Sequence, residues 1–333
     1  MTRPETTHPK IRTDEILNAA RNARSRIADR IRNTPLEHSN SLSSRHGADV
    51  FLKLENLQLT GSFKIRGAMA KLSMTPKDVL ERGIVTASSG NHGAAVACAV
   101  QQLGGSALVF VPNNASQIKC DAIQRYGAQV QRHGDDGLFT ELHARKFALE
   151  QNRMYVSPYN DSEVIAGQGT MGLEIFESLP DVDAVFVTVG GGGLISGVAG
   201  VLKALQPNVR LIGCQPSNDA AMMRSVEAGK ILEIDALPTI SDGSAGNLEP
   251  GSITFERCQT LVDEWVEVSE PEIMTAMRDF IESQHQLLEG AAGVALAAFA
   301  KVAEAYRGKR VIIVICGAKI GLDKLQDVLE ESP

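Results

Sequence analysis

Short runs of β-branched and aliphatic residues alternate along this chain with longer stretches in which apolar positions recur every three to four residues. The short runs predict buried strands at Val50–Leu54, Ile84–Ala87, Ala107–Val111, Gln129–Arg132, Ala184–Val189, Arg210–Cys214 and Arg310–Ile315. The longer ones predict helices at Gly93–Leu103, Phe139–Glu150, Gln168–Leu179, Leu194–Leu205, Glu270–Gln284 and Val294–Tyr306, each closing near Gly, Pro or a charged turn. Strands alternating with helices make an α/β chain with parallel sheet flanked by helices. No period of 20 to 50 residues recurs and no low-complexity linker divides the chain, so if there are two domains, one is inserted in the other.

Composition narrows the class. At 333 residues, 43% hydrophobic and 22% charged, the chain has the make-up of a globular protein of one large domain or two. A net charge of −7 argues against nucleic-acid or anionic-membrane binding, both of which need clustered Lys and Arg. The polar start MTRPETTHPKIRTDE and the lack of 18 uninterrupted apolar residues predict neither export nor a membrane span. Cys98, Cys120, Cys214, Cys258 and Cys316 are odd in number and form no CxxC pair, which points away from disulfides and zinc and toward a reducing cytoplasm.

Ligands on such sheets gather at the carboxyl ends of strands, and three of those ends carry unusual chemistry. Ile84–Ala87 runs into Ser88-Ser89-Gly90-Asn91-His92-Gly93 and then a helix, so several backbone N–H groups would face an anion, although a plain N-cap with a tight turn reads the same way. Ala184–Val189 opens into Gly190-Gly191-Gly192-Gly193 before another helix, where the absence of Cβ atoms lets backbone wrap a phosphate; a flexible hinge is the competing reading. Gly191, Gly193 and Ser196 occupy the places of a dinucleotide fingerprint, but the acidic residue expected at the next strand's end is missing, since Cys214 leads into Gln215-Pro216. A lone phosphate fits better. The third strand ends in Cys316-Gly317-Ala318-Lys319, where Cys316 by itself reads as a small buried hydrophobe.

Lys64 lies between Phe63 and Ile65 and between Gly61 and Gly67. Most lysines are solvated surface groups, yet an ammonium held among such neighbours would be desolvated, which lowers its pKa and frees the neutral amine to attack an aldehyde.

ENLQLTGSFKIRGA, SSGNHG and GGGGLISG occur in one order, followed by SDGSAG, LLEGAAGVALAA and IIVICGAKIG. From about Asn33 to Leu325 the chain resembles the fold-type II pyridoxal-phosphate (PLP) enzymes, specifically the serine/threonine dehydratase and serine racemase family. The resemblance implies a tryptophan synthase β-like fold of two open, twisted, mainly parallel sheets flanked by helices, with a large domain of residues 1–85 and 158–333 and an inserted small domain of residues 86–157. It also implies a homodimer and a small amino-acid substrate.

Carried onto this chain, the resemblance makes Lys64 the Schiff-base lysine and the Cα base, and Gly190, Gly191, Gly192 and Gly193 the phosphate cradle. Phe63 would line the cofactor and Asn91 would bond the pyridine hydroxyl. The backbone around Ser88, Ser89, Asn91 and His92 would take the substrate carboxylate. Cys316 falls where the family places a neutral Ser, Thr or Cys against the pyridine nitrogen, which keeps the ring a weaker electron sink and favours elimination over transamination. Glu289 would lie near the cofactor. The implied reaction converts a small hydroxy amino acid such as L-threonine or L-serine to a 2-oxo acid and ammonia. Ser89 holds the position of the opposite-face base of racemases, so racemisation stays open, as do 3-hydroxyaspartate ammonia-lyase and hydroxyectoine-breakdown dehydratase activities. From another class, a catalytically silent anion- or nucleotide-binding protein stays open too, with the intact Lys64 against it.

Two departures matter. Where many relatives place a carboxylate that helps chelate a divalent cation, this chain has the neutral Gln215, with Asp219 displaced from the usual spacing, so no Mg²⁺ or Ca²⁺ is expected there. Lys319 replaces a common Asn and is expected to be a solvated strand-end charge, with altered substrate choice as the alternative. No regulatory module is expected beyond the last strand.

Overall fold

In the computed structural model, residues 11–135 and 137–330 are described; most of the polar leader read above, Met1 to Lys10, lies outside them. Ten strands fall into two sheets: β1 Leu36–His38, β2 Asp49–Leu54, β3 Ile84–Ala87, β4 Ala107–Val111, β5 Gln129–Arg132, β6 Met154–Tyr155, β7 Ala184–Thr188, β8 Arg210–Pro216, β9 Glu264–Val268 and β10 Arg310–Ile315. The first sheet has the order β1-β2-β10-β7-β8-β9 and the second the order β5-β4-β3-β6. Every pairing is parallel except β1 with β2 at an edge. The fold is therefore the α/β, mainly parallel two-sheet architecture expected.

Parallel strands covered by helices on both faces have no polar side, which is why β4 and β7 are buried at every residue and β10 at all but Arg310. Strands β3, β4, β5 and β10 have the predicted limits, although β5 is a mostly exposed edge and not a buried run. The helix predicted at Gln168–Leu179 starts earlier, spanning Ser162–Ser178, because Asp161 caps it by accepting from Glu163 N and Val164 N. Glu270–Gln284 matches its prediction, closed at the front by a Ser269/Glu272 capping box. The last predicted helix starts at Gly290 and ends at Val302, with a 3-10 turn through Tyr306.

The helices Ser162–Ser178 and Gly193–Leu205 touch almost backbone to backbone, and a Cβ on Gly197 would stand 2.4 Å from the Ile165 carbonyl oxygen. That contact fixes the start of the Gly193–Leu205 helix, and with it the glycine run that precedes it. The second sheet's core draws on residues well before it in sequence, including Ile65, Ala68, Met69 and Leu72. Its strands lie between Ile84 and Tyr155, while the packing that supports them reaches back to the helix carrying Lys64. The carboxyl ends of β3, β7 and β10 meet between the two sheets.

Candidate active site

Backbone pairing brings Lys64 to the end of β10. Ser62 bridges Gly317, Phe63 N donates to the Cys316 carbonyl (3.1 Å) and Ala318 N donates to the Gly61 carbonyl (2.9 Å). The helix Lys64–Leu72 then starts at Lys64 itself, so the side chain leaves its first turn into the cleft. Its Nζ donates to the Pro158 carbonyl (3.2 Å) and lies 5.1 Å from the Phe63 ring centre. Burial pushes the Lys64 pKa down to about 8, with Cys316, Glu289 and Glu141 acting in the opposite sense.

At the end of β3 the chain turns sharply. Gly90 N donates to Ser88 Oγ (3.2 Å), and Gly93 lets the Ser88 carbonyl fold under the helix, since a Cβ there would be 2.3 Å from that oxygen. Asn91 opens the helix Asn91–Leu103; its Nδ2 donates to both Glu289 oxygens (2.8 and 2.9 Å), and its Oδ1 is buried without a partner. The His92 ring is buried with Nε2 3.1 Å from the Val156 carbonyl, and burial, with Lys64 adding to it, drives its pKa to about 3. His92 is thus a neutral anchor whose ring is spent on Val156, leaving its backbone N–H for an anion. Ser89 is half-buried and its hydroxyl has no hydrogen bond among the described residues.

At the end of β7 the four glycines are packed from outside. A Cβ on Gly190 would stand 2.7 Å from the Ser244 carbonyl oxygen and one on Gly191 2.4 Å from the Tyr159 ring, while Gly192 has φ +81°. Thr254 Oγ1 donates to the Gly191 carbonyl (2.6 Å), holding that oxygen toward the helix Ile253–Leu261. The first N–H groups of the helix Gly193–Leu205 have no intrahelical acceptor, so the run presents donors and a positive helix end.

Glu289 occupies the N-cap position of the helix Gly290–Val302 with its side chain turned to other partners, and is 4% exposed. Burial pushes its pKa up to about 7 despite the bonds from Asn91 and from Lys319 N (3.1 Å). The carboxylate fits only because residue 317 is glycine: a Cβ there would be 2.5 Å from Glu289 Oε1. Cys316 is buried, and burial holds its thiol well above the ordinary value, hence neutral. Lys319 departs from expectation. It is half-buried, and burial pushes it down to about 8, because the segment after β10 folds back over Gly61.

Phe63, Lys64, Asn91, Gly190 to Gly193, Glu289 and Cys316 thus line one cleft. Ser88, Ser89 and His92 lie beside that lining, on the same turn as Asn91. Sequence reasoning missed Tyr159, Thr188, Gly243 and Ser244, which also line it. Tyr159 is the most telling omission: its ring fills the space against Gly191 while its hydroxyl accepts from Glu249 N (2.9 Å). The glycines at 191 and 193 were the available signal, since something had to occupy the volume their side chains vacate.

A family model described as pyridoxal-phosphate dependent enzyme matches residues 27–317. The chain belongs to this family. L-threonine ammonia-lyase of Thermotoga maritima is 40% identical over 303 residues, covering 90% of this chain and 75% of that protein. The catabolic L-threonine dehydratase TdcB of Escherichia coli is 39% identical over 308 residues, covering 92% and 93%. Among solved structures, threonine deaminase isoform 2 of Solanum lycopersicum superposes with a TM-score of 0.92 at 34% identity, covering 97% of this chain and 89% of that one. Maize serine racemase gives 0.87 at 31% identity, covering 94% and 96%.

The family's cofactor fits the donors present. A run of outward N–H groups suits a phosphate, a desolvated amine suits an aldehyde, and the orphaned Asn91 amide oxygen marks a polar position still lacking its partner. Among the described residues no helix is long and apolar enough to cross a membrane, and the five cysteines are free.

Proposed function

We propose that the protein deaminates a small hydroxy amino acid such as L-threonine or L-serine to the 2-oxo acid and ammonia, losing the β-hydroxyl as water and taking one water back. The observation that carries this reading is Lys64: an amine with its pKa lowered to about 8, in one cleft with Asn91, Glu289, Cys316 and the Gly190–Gly193 run. In this reading Lys64 holds the cofactor, Gly190 to Gly193 cradle its phosphate, Phe63 and Glu289 line it, Asn91 meets the ring hydroxyl and Cys316 faces the ring nitrogen. When bound, PLP supplies an electrophilic aldehyde and a ring that delocalises the electron pair left as the Cα proton departs.

The chain's own residues do the rest. The backbone N–H groups of Ser89, Asn91 and His92 fix the substrate carboxylate, which aims the Cα–H bond at Lys64, while Ser88 N is spent on the Phe110 carbonyl (3.0 Å) and Gly90 N on Ser88 Oγ. The neutral Lys64 amine would take the Cα proton. The β-hydroxyl leaves with a proton as water, and later addition of one water yields the 2-oxo acid and ammonia, so atoms and charge balance. Cys316, neutral, leaves the ring nitrogen without a counter-charge, which favours prompt loss of the β-substituent.

A second reading, racemisation of serine, is supported by the unpartnered Ser89 hydroxyl at the mouth of the Asn91–Leu103 helix. The division into residues 1–85 with 158–333 and 86–157, a homodimer and a cytoplasmic setting complete the proposal. The strands of the second sheet, all between Ile84 and Tyr155, support an inserted unit, but the boundary between 85 and 86 cuts β3, whose Ile84 and Val85 pair within that sheet; five free buried cysteines support the setting.

The test is spectroscopic and catalytic. Purified protein loaded with PLP should show the visible band of an imine, lose it on borohydride reduction with label on Lys64, and release 2-oxobutyrate from L-threonine. Lys64→Ala should lose the band and at least about 10³-fold in turnover. A protein that takes up no PLP overturns the reading; PLP loading without 2-oxo acid from any hydroxy amino acid overturns the substrate class alone.

A further inference from the structure

Gln215 is 1% exposed and sits on β8 one residue beyond the last ladder pair, Thr188 with Cys214, that joins β8 to β7. β7 stops there, and the next carbonyl, that of Val189, has no ladder partner waiting for it. The Gln215 side chain takes over that bond: Nε2 donates to the Val189 carbonyl (2.9 Å). Its other end accepts from Met223 N (2.7 Å), in the first turn of the helix Ala221–Ala228, where backbone N–H groups have no intrahelical acceptor. The amide orientation is dictated by its partners, since only the nitrogen can serve a carbonyl and only the oxygen an N–H.

Both partners abut the glycine run. Val189 immediately precedes Gly190, and the Met222 methyl lies 2.8 Å from where a Cβ on Gly192 would be. One primary amide therefore joins the strand end in front of the run to the helix that packs behind it. Among side chains of this length only Gln offers a donor and an acceptor side by side without charge at every pH; Glu does so only when protonated. A carboxylate would serve Met223 but set oxygen against oxygen at Val189.

We infer that Gln215 is a positioning residue whose neutral amide bridge holds the Gly190–Gly193 run in the shape that binds the cofactor phosphate, without help from a divalent cation. The inference rests on the reading of that run as the phosphate cradle. The two oxygens a hard cation would seek at this point, Gln215 Oε1 and the Val189 carbonyl, are both already engaged.

The experiment compares PLP with pyridoxal, which forms the same bond to Lys64 but carries no phosphate, by equilibrium dialysis against apo protein. In the wild type PLP binds more tightly than pyridoxal, and dialysis against EDTA leaves both dissociation constants unchanged. Gln215→Glu, measured at high pH where the introduced carboxyl is ionised, raises the PLP dissociation constant roughly tenfold to a hundredfold, the cost of one buried unmatched acceptor pair, and leaves that of pyridoxal within about twofold. Should that variant fold poorly, Gln215→Met, uncharged and of similar volume, is expected to lose about tenfold for PLP alone. Unchanged PLP binding in a folded variant, equal losses for PLP and pyridoxal, or an EDTA-induced loss reversed by Mg²⁺ each overturn the inference. A wild type that does not distinguish PLP from pyridoxal sinks the cradle reading instead.

Discussion

On one side of the helix Lys64–Leu72, Arg66, Lys53, Glu55 and Glu174 form a quartet of two cations and two anions shut off from solvent; on the other, Lys64 faces the cleft with Asn91, Glu289 and Cys316. The quartet is saturated. Arg66 makes paired bonds to Glu55 (2.8 and 2.9 Å) and to Glu174 (2.7 and 2.8 Å) and a further one to Thr170 (3.0 Å), while Lys53 donates to Glu174 (2.5 Å) and to the Thr34 carbonyl (2.7 Å). Burial would push the Glu55 carboxyl up, but Arg66 outweighs it and holds the group below its usual value. In the cleft burial wins, as it also does at Lys53 within the quartet: Lys64 falls, Glu289 and Cys316 rise, and Asn91 keeps an unmatched oxygen. Two residues apart on one helix, desolvation is cancelled by partners at Arg66 and left uncancelled at Lys64. The first arrangement fixes the helix; the second leaves groups able to change protonation near neutral pH.

The sharpest way to break that contrast is to remove one member of each group. Glu174→Gln or Arg66→Met strands a buried charge and should cost about 3–5 kcal/mol in denaturant unfolding. Lys64→Ala, which empties a cleft position whose amine was already poorly solvated, should leave the unfolding midpoint of the apo protein nearly unchanged. A Glu174→Gln variant as stable as the wild type would mean that the quartet does not hold the helix.

Glu289 gives a smaller effect with a defined sign. Its pKa rises from 4.5 to about 7 on folding, so between those values the folded protein holds a proton that the unfolded chain has released. Stability contributed by that proton is present below pH 4.5 and is lost as pH rises toward 7, by at most about 3 kcal/mol. His92, lowered from 6.5 to about 3, has the opposite slope, gaining stability as pH rises between those values. The readout is therefore the difference between wild type and Glu289→Gln across pH 4 to 8. That difference should favour the variant increasingly as pH rises and level off above 7; a flat difference would place Glu289 outside the poised group.

The contrast also marks what the sequence could reveal. Strands such as β4 and β10 are continuous apolar runs, and burial on both faces makes such runs readable. β6 has two residues and β1 is a three-residue antiparallel edge, too short to show a period, and both were missed. The Lys64–Leu72 helix was also missed, because Gly67 interrupts it; that glycine is required by the approach of Gln168 and Val164, which belong to a helix a hundred residues away. Lys64, Asn91 and the glycine run could be read because their neighbours in sequence are also their neighbours in the site. Tyr159, Ser244 and the whole quartet could not: each reads as an ordinary polar or charged residue, and only tertiary packing supplies its partner.

Ser89 offers the smallest change and the finest test of the comparison. It shares the turn before the Asn91–Leu103 helix with Ser88, whose hydroxyl accepts from Gly90 N, and lies three residues before His92, a first-turn residue of that helix whose ring is committed to Val156. Ser89 alone among these three has an uncommitted side chain, which places it with the poised groups of the cleft rather than with the saturated ones. Ser89→Ala removes nothing that folding uses, so the unfolding midpoint should move by less than about 0.5 kcal/mol. If the backbone N–H groups alone receive the substrate carboxylate and Lys64 alone takes the Cα proton, release of 2-oxo acid from L-threonine should stay within about threefold, since no transition-state proton transfer has been lost. Formation of D-serine from L-serine, where measurable in the wild type, should fall by at least about 10²-fold, because the racemisation reading makes that hydroxyl the proton carrier on the face opposite Lys64. A parallel loss of elimination would instead put the Ser89 hydroxyl into the elimination itself, and the division of labour between the turn's backbone and its side chains would have to be redrawn.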